Sequence, residues 1–124
     1  MANKLNSQDE DFMNALIKAT IPKNVAKTLV FISTLDETTS IEIEGSTGLR
    51  QPEVSISVQE LRNRGWVTKR DIKKEGKGRP VHYYKLQKTI SEIIAEIVKL
   101  NEQKIDDIKN NIDTLKKIGS SRGK

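Results

Sequence analysis

The sequence predicts a mostly α-helical fold with one small β-hairpin, followed by a single long helix. A short helix with one apolar edge ends near Gly65 and leads directly into two β-rich segments joined by a loop of Lys, Arg and Gly residues. After Thr89, apolar residues recur at heptad spacing almost to the C-terminus. A chain of 124 residues suits one domain with an appended helix.

The first third of the chain predicts two helices. Ser7 and Glu10 fit a capping box ahead of a first helix of about residues 8–20. Pro22 suits the first turn of a second helix, because the N–H that proline lacks would have no partner there. Apolar residues at helical spacing extend this second helix to Leu35. Residues 36–40 are polar and predict a turn.

Two further short helices are predicted on either side of Gly48. Thr39 and Glu42 fit a capping box at the start of the first helix, and Gly48 suits a left-handed C-cap at its end. Gln51 and Pro52 then fit the N-cap and first residue of the second helix. Two short helices with a tight, glycine-containing turn indicate a helix-turn-helix, although any all-α domain can contain such a pair.

The second helix of this pair has two chemically different sides. Val54, Val58 and Leu61 share one arc of the helical wheel and should face the core. Ile56 lies on the opposite arc, where it would suit contact with a thymine methyl group or a sugar, although single exposed isoleucines are common. Together with Ile56, the candidate DNA-binding residues of this segment are Arg50, Gln51, Ser55, Gln59 and Asn63.

A basic hairpin follows this helix. Between Lys69 and Arg79 there are six basic residues and two acidic ones. A charged hairpin tip is often only a solvated loop, but this one directly follows a candidate recognition helix, which is the layout of a winged helix-turn-helix. The tip residues would contact phosphates, and Arg79 could also enter a minor groove. The candidates are Lys73, Lys74, Lys77 and Arg79.

The long helix after Thr89 is predicted to be a coiled coil that forms a dimer. Its apolar seam needs a second helix to cover it, and folding back onto its own domain is the alternative. Asn101 is the one polar position of the seam and could fix its register. The predicted dimerisation residues are Ile94, Val98, Asn101, Ile105, Ile108, Ile112 and Leu115. The predicted boundaries are 1–87 for the winged domain, 88–118 for the dimerisation helix and 119–124 for a flexible basic tail.

The composition limits the classes of function. The chain has no Cys and one His, so disulfides and thiolate metal sites are excluded and we expect neither a metal nor another cofactor. No nucleophile–base pair or phosphate-binding loop suggests an enzyme. The net charge of +5 favours a polyanionic partner. No apolar run approaches the ~20 residues needed to span a bilayer, and no signal peptide is evident, so we expect a cytoplasmic, nucleoid-associated protein.

Parts of the sequence resemble a known superfamily. The segment Gln51-Pro52-Glu53-Val54-Ser55, with Leu61-Arg62-Asn63-Arg64-Gly65-Trp66-Val67, is similar to the recognition helix and following strand of ArsR-type and MarR-type winged-helix transcription regulators. The hairpin Lys77-Gly78-Arg79-Pro80 with Tyr83-Tyr84 resembles the wings of ArsR-like and TrmB-like archaeal regulators. The resemblance covers about residues 22–86, and the long helix is placed like the dimerisation helices of such proteins.

The resemblance implies a homodimer that binds an operator and represses or activates transcription. Positions matching Gln51, Ser55, Ile56 and Gln59 face bases or phosphates in these families, and Arg79 matches the wing-tip arginine. The Cys or His clusters of ArsR metal sensors are missing, so metal sensing does not carry over. Two glutamates also depart from the pattern by placing negative charge near the DNA-facing helix: Glu53 and Glu60.

Three functions are therefore open. The leading one is a sequence-specific, dimeric transcription regulator of double-stranded DNA, with a recognition helix at about 51–64 in the major groove and a wing at 69–80 on the backbone or minor groove. An architectural, nucleoid-type protein would contact mainly phosphates. A winged-helix module for protein–protein assembly is the third, because a fold does not determine its function. The sequence names no operator, effector or sign of regulation.

Overall fold

The computed structural model describes residues 6–72 and 81–123, and these residues form five helices and three strands. In chain order they are α1 (Ser7–Lys18), α2 (Lys23–Ser33), β1 (Thr38–Thr39), α3 (Ser40–Thr47), α4 (Gln51–Asn63), β2 (Val67–Ile72), β3 (Val81–Leu86) and α5 (Ile90–Arg122). The predicted fold class, mostly helical with a small β-structure and a long C-terminal helix, is confirmed. The chain divides into two units, Met1–Ile90 and Ser91–Lys124.

The core of the first unit is built around α2, which contacts α1, α3 and α4. Its apolar residues occur on nearly every side of the helix, so most of the helix is buried. Burying one such side chain stabilises the fold by roughly 1.5–3 kcal/mol. The buried residues of α2 are Val25, Ala26, Thr28, Leu29, Val30, Phe31 and Ile32. The other helices and β2 add the buried side chains Leu16, Ile43, Val54, Val58, Leu61 and Val67.

Two predicted helix starts are corrected by one residue. The cap of α1 is Asn6, whose Oδ1 accepts the Asp9 N–H at 2.9 Å while the Asp9 carboxylate accepts the Asn6 N–H at 3.1 Å. The predicted pairing of Ser7 with Glu10 is therefore wrong, because Asn and Asp one residue earlier make the same reciprocal bonds. The N-cap of α4 is Arg50 rather than Gln51. The capping box that leads into α3 is confirmed.

The β-structure is a three-stranded antiparallel sheet with the order β1-β3-β2. The predicted hairpin is present, with β2 and β3 paired from Val67 opposite Leu86 to Ile72 opposite Val81. The third strand, β1, corrects the sequence analysis, which predicted a turn at residues 36–40. It pairs with β3 through only two residues, which is too short to show the alternation by which strands are recognised in a sequence.

Two glycines with positive φ end the helices of the helix-turn-helix. Gly48 has φ +76° and donates its N–H to the Glu44 carbonyl at 3.0 Å, so the predicted left-handed C-cap of α3 is confirmed. Gly65 has φ +77° after α4. The next N–H, from Trp66, then donates to the Leu61 carbonyl at 3.1 Å. These two turns fix where α4 begins and ends.

The second unit is the greater part of α5. The apolar residues of its predicted seam are 40–59% exposed, and every residue from Glu102 to Gly123 is exposed. Asn101 is half-buried and donates its Nδ2 to the Ile97 carbonyl at 2.8 Å. The helix continues to Arg122, past the end predicted at residue 118, because no proline interrupts its backbone hydrogen bonds.

Candidate nucleic-acid interface

The outward side of α4 carries the residues that the sequence singled out. Val54, Ser57, Val58 and Leu61 are buried, and the residues between them point away from the core. Ile56 is 71% exposed. All six candidates from this segment are exposed: Arg50, Gln51, Ser55, Ile56, Gln59 and Asn63. Helical spacing places Ser55, Ile56, Gln59 and Asn63 on one side, whereas Arg50 and Gln51 lie at the start of the helix. This outward side of α4 is therefore a mixed apolar and hydrogen-bonding surface.

Hydrogen bonds between neighbouring side chains orient the amide of Gln59. Its Nε2 donates to Asn63 Oδ1 at 2.9 Å, and its Oε1 accepts from Arg62 Nη1 at 3.4 Å. An amide in this arrangement keeps one N–H and one lone pair for an outside partner. A donor beside an acceptor is the pattern that pairs with N7 and N6 of adenine in the major groove.

The two glutamates of α4, Glu53 and Glu60, make hydrogen bonds within the fold. Glu60 Oε2 lies 2.6 Å from Arg64 Nε, and the Arg64 guanidinium stands 5.0 Å from the centre of the Trp66 ring. Glu53 accepts the Arg50 backbone N–H at 2.9 Å, so it acts as a helix cap. The negative charge that the sequence places near the recognition helix is thus partly compensated, by Arg64 at one end of the helix and by the backbone N–H of Arg50 at the other.

The base of the wing is held by a two-point ion pair. Arg70 on β2 donates through Nη2 and Nε to the two carboxylate oxygens of Glu37, at 2.6 and 3.2 Å. The Arg70 guanidinium also lies 5.1 Å from the centre of the Tyr83 ring on β3. The hydrogen bond from Arg70 lowers the pKa of Glu37 below its ordinary value. These contacts join β2 both to β3 and to the segment that precedes β1.

His82 lies in the wing beside a carboxylate. Its Nδ1 is 2.6 Å from Asp71 Oδ1, directly across the β2–β3 pair, and Lys69 Nζ is 3.8 Å from the same oxygen. The hydrogen bond with His82 is the main cause that lowers the pKa of Asp71. His82 and Asp71 thus form a cross-strand pair within the β2–β3 hairpin. Across residues 6–72 and 81–123, no group of three or more His, Asp or Glu residues could hold a metal ion.

The four candidate residues at the wing tip, Lys73, Lys74, Lys77 and Arg79, lie outside the described residues. Their contacts with phosphates therefore remain a prediction from the sequence. The described strands on either side end in register, with Ile72 opposite Val81.

Ile41 is an exposed residue that the sequence analysis did not single out. It lies in the first turn of α3 and is 75% exposed, whereas Ile43 is fully buried. Residues two apart on a helix point in nearly opposite directions, so this spacing could have identified it. It lines a concavity of about 490 Å³ between the starts of α3 and α4 and the strand β3, together with Thr39, Ser40, Glu44, Gln51, Val81 and His82.

The helix-turn-helix of α3 and α4, with the sheet beside it, defines the winged helix-turn-helix class. Neither a family model nor a curated protein matches the sequence. Within the described residues, no helix is both long and apolar enough to span a bilayer.

Several solved structures share this fold. One is described as a possible transcriptional regulator from Methanosarcina mazei Go1; it is 17% identical with a TM-score of 0.66, over 82% of this chain and 86% of that chain. A mutant MarR from E. coli complexed with operator DNA is 19% identical with a TM-score of 0.51, over 92% and 87%. A MarR family transcriptional regulator from Silicibacter pomeroyi DSS is 18% identical with a TM-score of 0.52, over 94% and 82%. At these identities the likeness shows a common fold.

Proposed function

We propose that this protein is a dimeric, sequence-specific DNA-binding transcription regulator. The observation that carries the proposal is the outward side of α4, where an isoleucine that is 71% exposed lies among exposed amide, hydroxyl and guanidinium groups. The net charge of +5 and the operator complex of the fold relative MarR support DNA as the partner. A binding role explains this surface without any catalytic group.

In the proposed complex, α4 lies in the major groove and residues 69–80 contact the backbone or the minor groove. Gln59 pairs with an adenine edge, and Ile56 packs on the methyl group of a thymine. Arg50, Gln51 and Ser55 near the start of α4 bind phosphates, where the helix dipole also favours negative charge. The basic residues of the wing add phosphate contacts that do not depend on sequence.

Dimerisation through α5 would place two copies of α4 on one duplex. Its seam of exposed isoleucine, valine and leucine side chains has the heptad spacing of a coiled coil. Two recognition helices that enter successive major grooves read half-sites about one helical turn apart, and a two-fold dimer reads a palindrome.

Selection of bound duplexes from a random pool at physiological salt tests this function directly. We expect a palindromic site that binds ~10³-fold or more tightly than unrelated DNA. Gln59→Ala should relax the selection at one base pair in each half-site, whereas Lys18→Ala, exposed on α1, is the matched control and should leave the selected site unchanged. Equal affinity for every duplex would contradict the proposal.

The architectural function is the second candidate, and the clustering of basic residues between Lys69 and Arg79 favours it. Such a protein would bind all sequences, and its affinity would fall steeply with salt. A palindromic product from the selection excludes it. A complete lack of DNA retardation at low salt would instead support a module for protein–protein assembly.

A further inference from the structure

We propose that α5 pairs with α5 of a second copy in antiparallel orientation, with Ile105 of one copy opposite Ile108 of the other. The proposal rests on the dimerisation proposed above and adds the direction and register of the two helices. The exposed seam and the charges that flank it support this pairing.

The seam needs a partner as long as itself. Ile105, Ile108, Ile112 and Leu115 are between 44% and 59% exposed, and all residues from Glu102 onward to Gly123 are exposed. A stripe of this length on a single helix matches another copy of the same stripe, because only a helix with the same repeat keeps its apolar residues in contact over several turns.

The charges beside the seam disfavour a parallel pair. With Val98, Ile105 and Ile112 at position a, the flanking positions e and g include Glu102, Lys109 and Lys104. In a parallel pair, position g of one helix faces position e of the next heptad on the partner. Lys104 would then face Lys109 of the partner, twice by symmetry, and Glu102 would face no basic residue.

An antiparallel pair brings opposite charges together. In this orientation e faces e and g faces g, so the register with Ile105 opposite Ile108 places Glu102 against Lys109 of the partner, twice by symmetry. Lys104 then faces Asn111, and no like charges meet at these positions. The flanking positions of a coiled coil determine partner orientation through such pairs.

The same charges select one register. A shift of one heptad in one direction would place Glu102 against Glu102 and Lys104 against Lys104 of the partner. A shift in the other direction would place Lys109 against Lys109. The proposed register is centred between Ile105 and Ile108, which is close to the middle of α5, so nearly the whole helix from Ile90 to Arg122 is paired.

Asn101 is compatible with this register, in which it faces Ile112 of the partner. Its Nδ2 already donates to the Ile97 carbonyl of its own helix at 2.8 Å. The amide therefore does not need a second Asn101 across the seam, which a parallel pair in register would supply.

Single cysteines distinguish the two orientations, because the chain has no natural cysteine. In the proposed register Val98 faces Leu115 of the partner, whereas the two copies of Val98 are about 25 Å apart along the axis. On oxidation of the full chain, V98C alone and L115C alone should give no disulfide-linked dimer. A mixture of the two variants should give the linked heterodimer, because a disulfide needs Cα atoms within ~7 Å.

Charge reversal gives an independent readout. Lys109→Glu should weaken dimerisation several-fold, because it places a second carboxylate against Glu102 of the partner, and adding Glu102→Lys should restore the dimer. In a parallel pair Lys109→Glu would instead strengthen the dimer, because the new carboxylate at position 109 would meet Lys104 of the partner helix.

Sedimentation of the cysteine-free chain tests dimerisation separately from the orientation of the helices. A monomer would overturn dimerisation itself, whereas a dimer with self-linked V98C would overturn only the antiparallel orientation.

Discussion

Ile56 and Ser57 are neighbours in the chain and lie in opposite environments. The side chain of Ile56 is 71% exposed, and that of Ser57 is 1% exposed with no hydrogen-bond partner for its hydroxyl among the described residues. A buried unpaired polar group costs free energy on folding, whereas an exposed apolar group gains none. A ligand that covers Ile56 would gain the free energy of burying it, and the unpaired hydroxyl of Ser57 is a local defect that substitution can remove.

For Ile56, the prediction concerns one methyl group of the DNA. In the selected site, replacing the thymine under Ile56 by deoxyuridine should reduce affinity about fourfold, which corresponds to the ~0.8 kcal/mol of one buried methyl-sized group. The Ile56→Ala variant should bind the two duplexes equally, as measured by fluorescence anisotropy. Equal binding of both duplexes by the unchanged protein would contradict the proposed contact between Ile56 and the thymine methyl group.

For Ser57, the prediction is a gain in stability. Ser57→Ala should raise the free energy of unfolding by ~1 kcal/mol, because the unpaired hydroxyl no longer loses its hydration on folding. Thr47 provides the opposite control, since its buried hydroxyl donates to the Ile43 carbonyl at 2.6 Å. Thr47→Val should lower the same free energy by ~1 kcal/mol. Urea denaturation measures both, and a loss of stability in Ser57→Ala would show that its hydroxyl has a partner.

At the scale of elements, α3 contains two glycines with different backbone requirements. Gly48 has φ +76° at the C-cap, whereas Gly45 lies within the helix, and a Cβ at either position would meet nothing within 4 Å. The difference between them is therefore one of backbone conformation alone.

Alanine at these two positions should change stability in opposite directions. Gly48→Ala should cost about 1–2 kcal/mol, because an L-residue is strained in the left-handed region. Gly45→Ala should add ~0.5–1 kcal/mol through helix propensity. Thermal or urea unfolding gives both values. Equal effects at the two positions would contradict this account of the α3–α4 turn.

The ion pair at the base of the wing predicts a dependence on pH. The pKa of Glu37 is lowered in the folded state, so the Glu37–Arg70 pair stabilises the fold fully above the ordinary value of 4.5 and loses this contribution as the pH falls below it. The difference in unfolding midpoint between the unchanged protein and Glu37→Gln should therefore shrink from pH 6 towards pH 3. A carbon-detected NMR titration that finds the Glu37 midpoint at or above 4.5 would contradict this prediction.

The elements that could be predicted from the sequence are those that local sequence patterns specify. Apolar periodicity and Gly48 marked the helices and the α3–α4 turn because these signals are local. The strand β1 has two residues and depends on its pairing with β3, so no local pattern indicates it. The ion pair of Arg70 with Glu37 joins residues far apart in the chain, and it was visible only after folding. The contacts of the outward side of α4 with DNA remain predictions.

At the scale of the whole molecule, the basic wing makes a prediction about salt. Replacing all four tip residues by Ala should reduce the slope of log affinity against log salt by up to about 0.9 for each lost phosphate contact. The sequence preference should be retained, because α4 is unchanged. The variant to compare is K73A/K74A/K77A/R79A. An unchanged slope in filter-binding titrations would show that the wing tip does not touch the DNA.

The long uncovered stripe of α5 has a consequence for how such a protein would respond to its own abundance. If only the dimer binds both half-sites, occupancy of a target rises with roughly the square of the protein concentration while most of the protein is monomeric. A twofold change in synthesis or degradation would then change occupancy of the target about fourfold, without any small-molecule signal.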